Sequence, residues 1–107
     1  MKTDRELLEL AAKAAGLRFA INGDDLPGYV AVAGDDWRYG WTHWNPLTDD
    51  GDALRLAVKL ELRLDLRHST NEVSAFGLSR IDEGAKDPYE ATRRAITRAA
   101  AELGSQS

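Results

Sequence analysis

The sequence predicts an α+β fold, with about four mostly antiparallel strands covered by three helices in the order α-β-β-α-β-β-α. Three observations lead there. Helix-capping signatures precede runs of apolar residues spaced by three and four. Segments between those runs alternate apolar with polar residues, and clusters of Gly, Pro, Asp and Asn separate the two kinds of pattern. Patterning leaves open whether the helices cover one face of the sheet or both.

Thr3 followed by Glu6 is a capping-box pattern. Leu7, Leu10, Ala11, Ala14 and Ala15 fall on one face behind it, and Gly16 is placed to stop the turn in the left-handed region. The first helix is expected over Asp4 to Ala15. Leu17 to Ile21 alternates as a short strand before the turn residues Asn22-Gly23-Asp24-Asp25 and Pro27-Gly28. Tyr29 to Ala33 is a β-rich apolar run, and Trp37, Tyr39 and Trp41 alternate beyond Gly34-Asp35-Asp36. A hairpin from Tyr29 to Trp41 is the expected form.

Pro46 discourages an upstream helix, and the Asp residues that follow can accept from unpaired helix amides. A second helix is expected to start between Thr48 and Asp50, where acidic residues also suit the helix dipole. Leu54, Ala57, Val58 and Leu60 are helically spaced, whereas Leu60, Leu62, Leu64 and Leu66 alternate. The expectation is a helix ending at Leu60 and a strand with Leu62, Leu64 and Leu66 toward the core. Glu61, Arg63, Asp65 and Arg67 then face water. The alternative is one helix to Arg67, with Arg55, Lys59, Arg63 and Arg67 in an exposed line.

Ser69-Thr70-Asn71 has turn composition, and Glu72 to Ser79 is expected to return as the antiparallel partner, weakened by Gly77. Asp87-Pro88-Tyr89-Glu90 combines an N-cap, a first-turn proline and a capping-box Glu. Ala91, Ala95, Ile96, Ala99, Ala100 and Leu103 share a face of the helix that follows, with Gly104 as its stop.

The chain has 107 residues, 43% hydrophobic and 30% charged, which is the size and composition of one globular domain. No apolar run approaches the roughly 20 residues of a membrane span, and no signal peptide is read at the start. The absence of cysteine excludes disulfides and thiolate metal sites and fits a cytosolic location. A net charge of −4 argues against a phosphate-backbone binder. Acidity concentrates between Asn22 and Asp52, at Asp24, Asp25, Asp35, Asp36, Asp49, Asp50 and Asp52, with Arg38 the sole Lys or Arg there.

Trp37, Trp41 and Trp44 are the chain's three tryptophans, with Tyr39 between them. Aromatic faces of this kind bind sugars, bases or cations, or else form the mass of a small core. Asp49, Asp50 and Asp52, beside Asn45 and Thr48, have the oxygen density of a hard-cation site but not EF-hand spacing, and helix capping accounts for the same residues. His43 with Asp49 or Asp50 would make a general-base pair. No phosphate loop, nucleophile elbow, His-Glu-x-x-His helix or Cys nucleophile supports catalysis. Candidate binding residues are therefore Trp37, Trp41, His43, Trp44, Asn45, Asp49 and Asp50, with no catalytic residue, metal or cofactor assigned. His68 stands at the end of the Leu-rich strand with no motif around it. Arg93, Arg94 and Arg98 are expected to form a solvated helix edge balanced by Asp87, Glu90 and Glu102.

From Trp44-Asn45-Pro46-Leu47-Thr48-Asp49-Asp50-Gly51-Asp52 through Ala53-Leu54-Arg55-Leu56-Ala57-Val58-Lys59-Leu60 the chain resembles small bacteriophage and prophage proteins grouped as the phage ABA sandwich domain. Arg5 to Gly16 and Ala91 to Glu102 resemble that family as well. The resemblance implies a three-layer α/β/α sandwich, a tailed-phage or prophage origin and a setting in the host cytoplasm. It implies no activity and no site residues.

The expected function is accordingly a non-enzymatic binding or accessory protein that acts through protein-protein contact with a host or phage partner. A narrower version presents Asp24, Asp25, Asp35 and Asp36 as phosphate mimics toward a nucleic-acid-binding factor. The alternative is a small enzyme or ligand-binding domain built on an aromatic and acidic cleft around residues 37–52. A self-associating structural protein is a third class. The sequence assigns no oligomeric state.

Overall fold

A computed structural model describes residues 2–22, 28–33, 42–67, 72–76, 80–84 and 87–106. They form an α+β fold with three helices and two three-stranded antiparallel sheets.

Helix α1 spans Asp4–Ala14 and opens on the capping box read from the sequence. The Thr3 hydroxyl accepts from the Glu6 amide at 3.2 Å while the Glu6 carboxylate accepts from the Thr3 amide at 3.5 Å. The helix ends through Gly16 at φ +72°, whose amide donates to the Lys13 carbonyl. Strand β1, Leu17–Asn22, follows at once and pairs with β2, Gly28–Ala33, in unbroken register from Leu17 opposite Ala33 to Asn22 opposite Gly28. On its other edge β2 pairs with the two-residue strand β3, Thr42–His43. The expected turn at Gly34-Asp35-Asp36 and the arm from Trp37 to Trp41 lie outside the described residues.

Helix α2, Asp50–Lys59, starts where its capping chemistry predicts, with Asp49 as N-cap accepting from the Asp52 amide at 3.3 Å. Its end explains why two periodicities meet at Leu60. The Glu61 amide donates to the Val58 carbonyl and the Leu62 amide to the Ala57 carbonyl, the paired bonds of a Schellman stop. That stop requires a left-handed residue after Leu60, and Glu61 supplies it at φ +54°. The chain leaves as β4, Arg63–Arg67, so a helix continuing to Arg67 is excluded.

Strand β4 pairs with β5, Glu72–Phe76, and β5 with β6, Arg80–Gly84. The expected return strand is present over Glu72–Phe76, and its last three residues, 77–79, lie outside the described residues. The described residues contain six strands, not about four, because β3 and β6 were not expected. Arg80-Ile81-Asp82-Glu83-Gly84 has one apolar residue and joins the sheet through its backbone ladder, a contribution that side-chain alternation does not record. Leu64 is half-buried as expected, but Leu66 is 61% exposed, which corrects its assignment to the core. Asp65, expected in water, is half-buried, and Arg63 lies 5.0 Å above the ring of its cross-strand neighbour Phe76.

Helix α3, Pro88–Ser105, begins with Asp87 accepting from the Tyr89 amide at 2.9 Å and Pro88 in the first turn, while Glu90 stays exposed. It packs on α1, α2, β5 and β6. Gly104 is not its stop, because the helix continues through Ser105 and the glycine is buried against α1. A Cβ there would overlap the Leu10 carbonyl oxygen outright and sit 2.8 Å from the carbonyl carbon. The glycine permits a close helix approach; its absence of a side chain is what matters, since nothing about its backbone sign does.

The core is rich in alanine. Leu8, Ala11, Ala12, Trp44, Leu56, Ala57, Ile96 and Ala100 form one cluster between the helices and the first sheet, and Val73, Ala75, Ala91, Ala95 and Ala99 form a second under α3. Among the described residues no buried side-chain nitrogen or oxygen lacks a hydrogen-bond partner.

Candidate functional site

The segment from His43 to Arg55 forms a dense capping network. Trp44 is buried, with its ring edge-on to Phe19 at a centroid distance of 6.0 Å and an interplanar angle of 74°. Asn45 organises the turn that follows: its side-chain oxygen accepts from the Leu47 amide at 3.0 Å, and its carbonyl accepts from the amides of Thr48 and Asp49. Asp52, 7% exposed, accepts from the Asn45 amide at 3.0 Å and from Arg55 at 2.8 Å. Asp50 is held by Arg93 of α3 at 2.6 Å, and the same guanidinium donates to the Leu47 carbonyl at 3.0 Å.

Of the sequence-predicted site residues, the structure thus brings Trp44, Asn45, Asp49 and Asp50 into one neighbourhood, with Trp44 turned into the core and the three polar side chains committed to backbone amides or to Arg93. His43 lies exposed on β3, opposite Val30. Trp37 and Trp41, with Tyr39, His68 and the four aspartates at 24, 25, 35 and 36, lie outside the described residues. The three carboxylates of Asp49, Asp50 and Asp52 turn to different partners, and no group of three His, Asp or Glu among the described residues could hold a metal ion.

The basic residues of α3 are not a solvated edge. Arg93 is anchored as above, Arg94 meets Asp4 of α1 at 3.3 Å, and Arg98 meets Glu83 of β6 at 2.7 Å. Each reaches a carboxylate on another element, so the row clamps α3 to its surroundings.

Beside the network opens a cleft of about 550 Å³ whose walls are predominantly apolar. Ala53 and Leu54 of α2 form one side, and Pro88, Tyr89, Thr92 and Ile96 of α3 the other. Its floor is the inner face of the second sheet, at Leu64 and Leu66 of β4 and Val73 of β5. Leu66 and Val73 are a directly opposed cross-strand pair. The Asp50–Arg93 ion pair also lines it. The volume falls within the range of roughly 300–1,000 Å³ typical of binding clefts.

Large apolar side chains crowd the rim. Leu54 is 60% exposed, Leu66 61% and Tyr89 67%. The polar groups of the cleft are already engaged: Asp50 and Arg93 with each other, and the Thr92 hydroxyl as donor to the Pro88 carbonyl at 2.7 Å. Sequence reasoning missed these residues because each is apolar at helical or strand spacing and reads as core. The available signal was width. Ala53, Leu54, Leu56, Ala57 and Val58 make an apolar band on α2 broader than one neighbouring helix covers.

Comparison of the chain with protein-family models, with curated proteins and with solved structures gave no match.

Proposed function

We propose that this is a non-enzymatic binding or accessory protein of phage or prophage origin that acts by protein-protein contact in the host cytoplasm, with the cleft between α2 and α3 as its contact surface. The observation that carries the reading is the ring of exposed Leu54, Leu66 and Tyr89 around an apolar cleft. Exposed apolar residues gathered at one place mark an interaction surface, whereas scattered ones do not. A small polar ligand needs converging hydrogen-bond groups, and those of this cleft are satisfied internally. Catalysis needs an unengaged nucleophile or base, and the Thr92 hydroxyl is spent on its own helix. The phage origin rests on the Trp44-to-Leu60 signature, as does a three-layer α/β/α arrangement of the two sheets and three helices.

A photo-crosslinking amino acid at Leu54 or Leu66 is expected to give a discrete adduct with a second polypeptide in the bacterial cytoplasm. The same group at the exposed Gln106 is expected to give none. Equal labelling at all three positions, or none at any, would refute the reading.

A further inference from the structure

The charge around the cleft specifies what fills it. Its lining includes the first turns of α2 and α3, which together with their caps carry four carboxylates, Asp49, Asp50, Asp87 and Glu90. All four residues are exposed. Among the described residues two cations lie near them, and Arg93 is only 17% exposed and engaged by Asp50 and the Leu47 carbonyl. Arg55 turns to Asp52 and Asp49 on its own helix. An occupant therefore meets apolar walls flanked, among the described residues, by an excess of carboxylates.

The geometry favours a helix as occupant. The floor is the face of a sheet, not its edge, and the walls are two helices packed beside that face. A segment laid between them occupies a place in the helical layer, whereas an added strand would pair along the outer edge of β4. Tyr89 to Ile96 spans about 10 Å along α3, matching about two turns of a partner helix. A second copy of this chain fits poorly, because isologous pairing sets two carboxylate-flanked clefts against each other.

We infer that the cleft receives an amphipathic helix of a partner protein whose apolar face, spaced at i, i+3 or i+4 and i+7, enters between α2 and α3, and whose flank carries Lys or Arg against Asp50, Asp87 and Glu90. The inference rests on the protein-contact reading above and adds the partner's conformation and charge.

The test is selection of a yeast-displayed library of random peptides of about 16 residues, long enough to form a helix on binding. Selection is made on the wild-type protein, with removal of peptides that also bind Leu54→Asp. A second depletion uses Tyr89→Ser, and both variants are first checked for native thermal unfolding. The expected survivors share helical apolar spacing and a net positive charge. Their affinity is expected to fall about two- to fivefold with Glu90→Lys at low salt, with the difference shrinking as salt rises. Cleft-dependent peptides that are neutral, acidic or alternating with a period of two overturn the inference and leave the contact reading standing. If no peptide distinguishes wild type from either variant, both fall. A wild-type dimer that Leu54→Asp converts to monomer overturns the inference in favour of a second copy.

Discussion

Replacing Gly104 by Ala sets two effects of opposite sign against each other. In an exposed helix interior, Gly→Ala gains about 1 kcal/mol from backbone entropy and propensity. At Gly104 the added methyl overlaps the Leu10 carbonyl oxygen and crowds the carbonyl carbon and Cα of Leu10, at 2.8 Å and 3.2 Å, none of which belongs to a flexible side chain. Either α1 moves back from α3, opening the contact of Leu8, Ala11 and Ala12 with the last helix, or the final turn of α3 unwinds. Overpacking of this kind costs typically 1–3 kcal/mol and more where backbone must move. The net expectation is destabilisation by about 1–2 kcal/mol, a drop in Tm of roughly 5–10 °C for a chain of this size. Urea unfolding followed by far-UV circular dichroism measures it, with Ser105→Ala as the control one residue along, where the side chain is exposed. Gly104→Val is expected to be worse than Gly104→Ala. If Gly104→Ala is as stable as the parent or more so, the close approach of α1 and α3 at this point is wrong.

Substitutions at four other positions probe other parts of the fold. Trp44→Ala removes the largest side chain of the first core cluster and is expected to cost about 3–4 kcal/mol in the same unfolding assay; a loss below about 1 kcal/mol would contradict its burial. Arg93→Ala leaves the Leu47 carbonyl without its donor and is expected to cost about 1–2 kcal/mol, the Asp50 pair being largely screened because its carboxylate is 66% exposed. Arg93→Lys is expected to restore only part of this, since an ammonium lacks the planar fork that reaches both acceptors. Glu61→Gly relieves a left-handed non-glycine residue and is expected to stabilise by about 0.5–1 kcal/mol after the extra unfolded-state entropy of glycine is counted, read as a higher urea midpoint. Leu54→Asp is expected to change stability by less than about 0.5 kcal/mol while abolishing peptide capture by the cleft.

Helix starts were the most legible part of this sequence, because a cap is a local event. Thr3 with Glu6, Asp49 with Asp52, and Asp87 with Tyr89 each place hydrogen-bond groups within three residues, and the three helices begin where those groups predict. Ends were less legible. Gly16 announces a left-handed stop, but Glu61 performs the same task for α2 with a side chain that carries no such signal. Gly104 shows the converse error: its meaning lies in Leu10, on a helix at the other end of the chain, and no local rule connects the two. Strand β6 escaped because Ile81 alone cannot set up an alternation. For the candidate site, residues 44–52 stood out in the sequence for reasons that capping and core packing explain, whereas Leu54, Leu66 and Tyr89 looked ordinary. Exposure of an apolar residue depends on which neighbour fails to cover it, and that is settled only by the tertiary arrangement.

The position of α3 against both other helices and the second sheet has a consequence for synthesis. Helix α1 has eleven residues, short of what sustains an isolated helix in water, and its buried face of Leu7, Leu8, Ala11 and Ala12 is covered chiefly by α3. The pair is stapled by Asp4 and Arg94, ninety positions apart. In the order of synthesis α1 must therefore wait for α3 before its apolar face is covered. The second sheet is in the same situation to a lesser degree, since β5 and β6 lie against α3 too. Folding is then a late, closing event that loop entropy slows, and a chain broken anywhere before Asp87 loses the folded state as a whole instead of one helix.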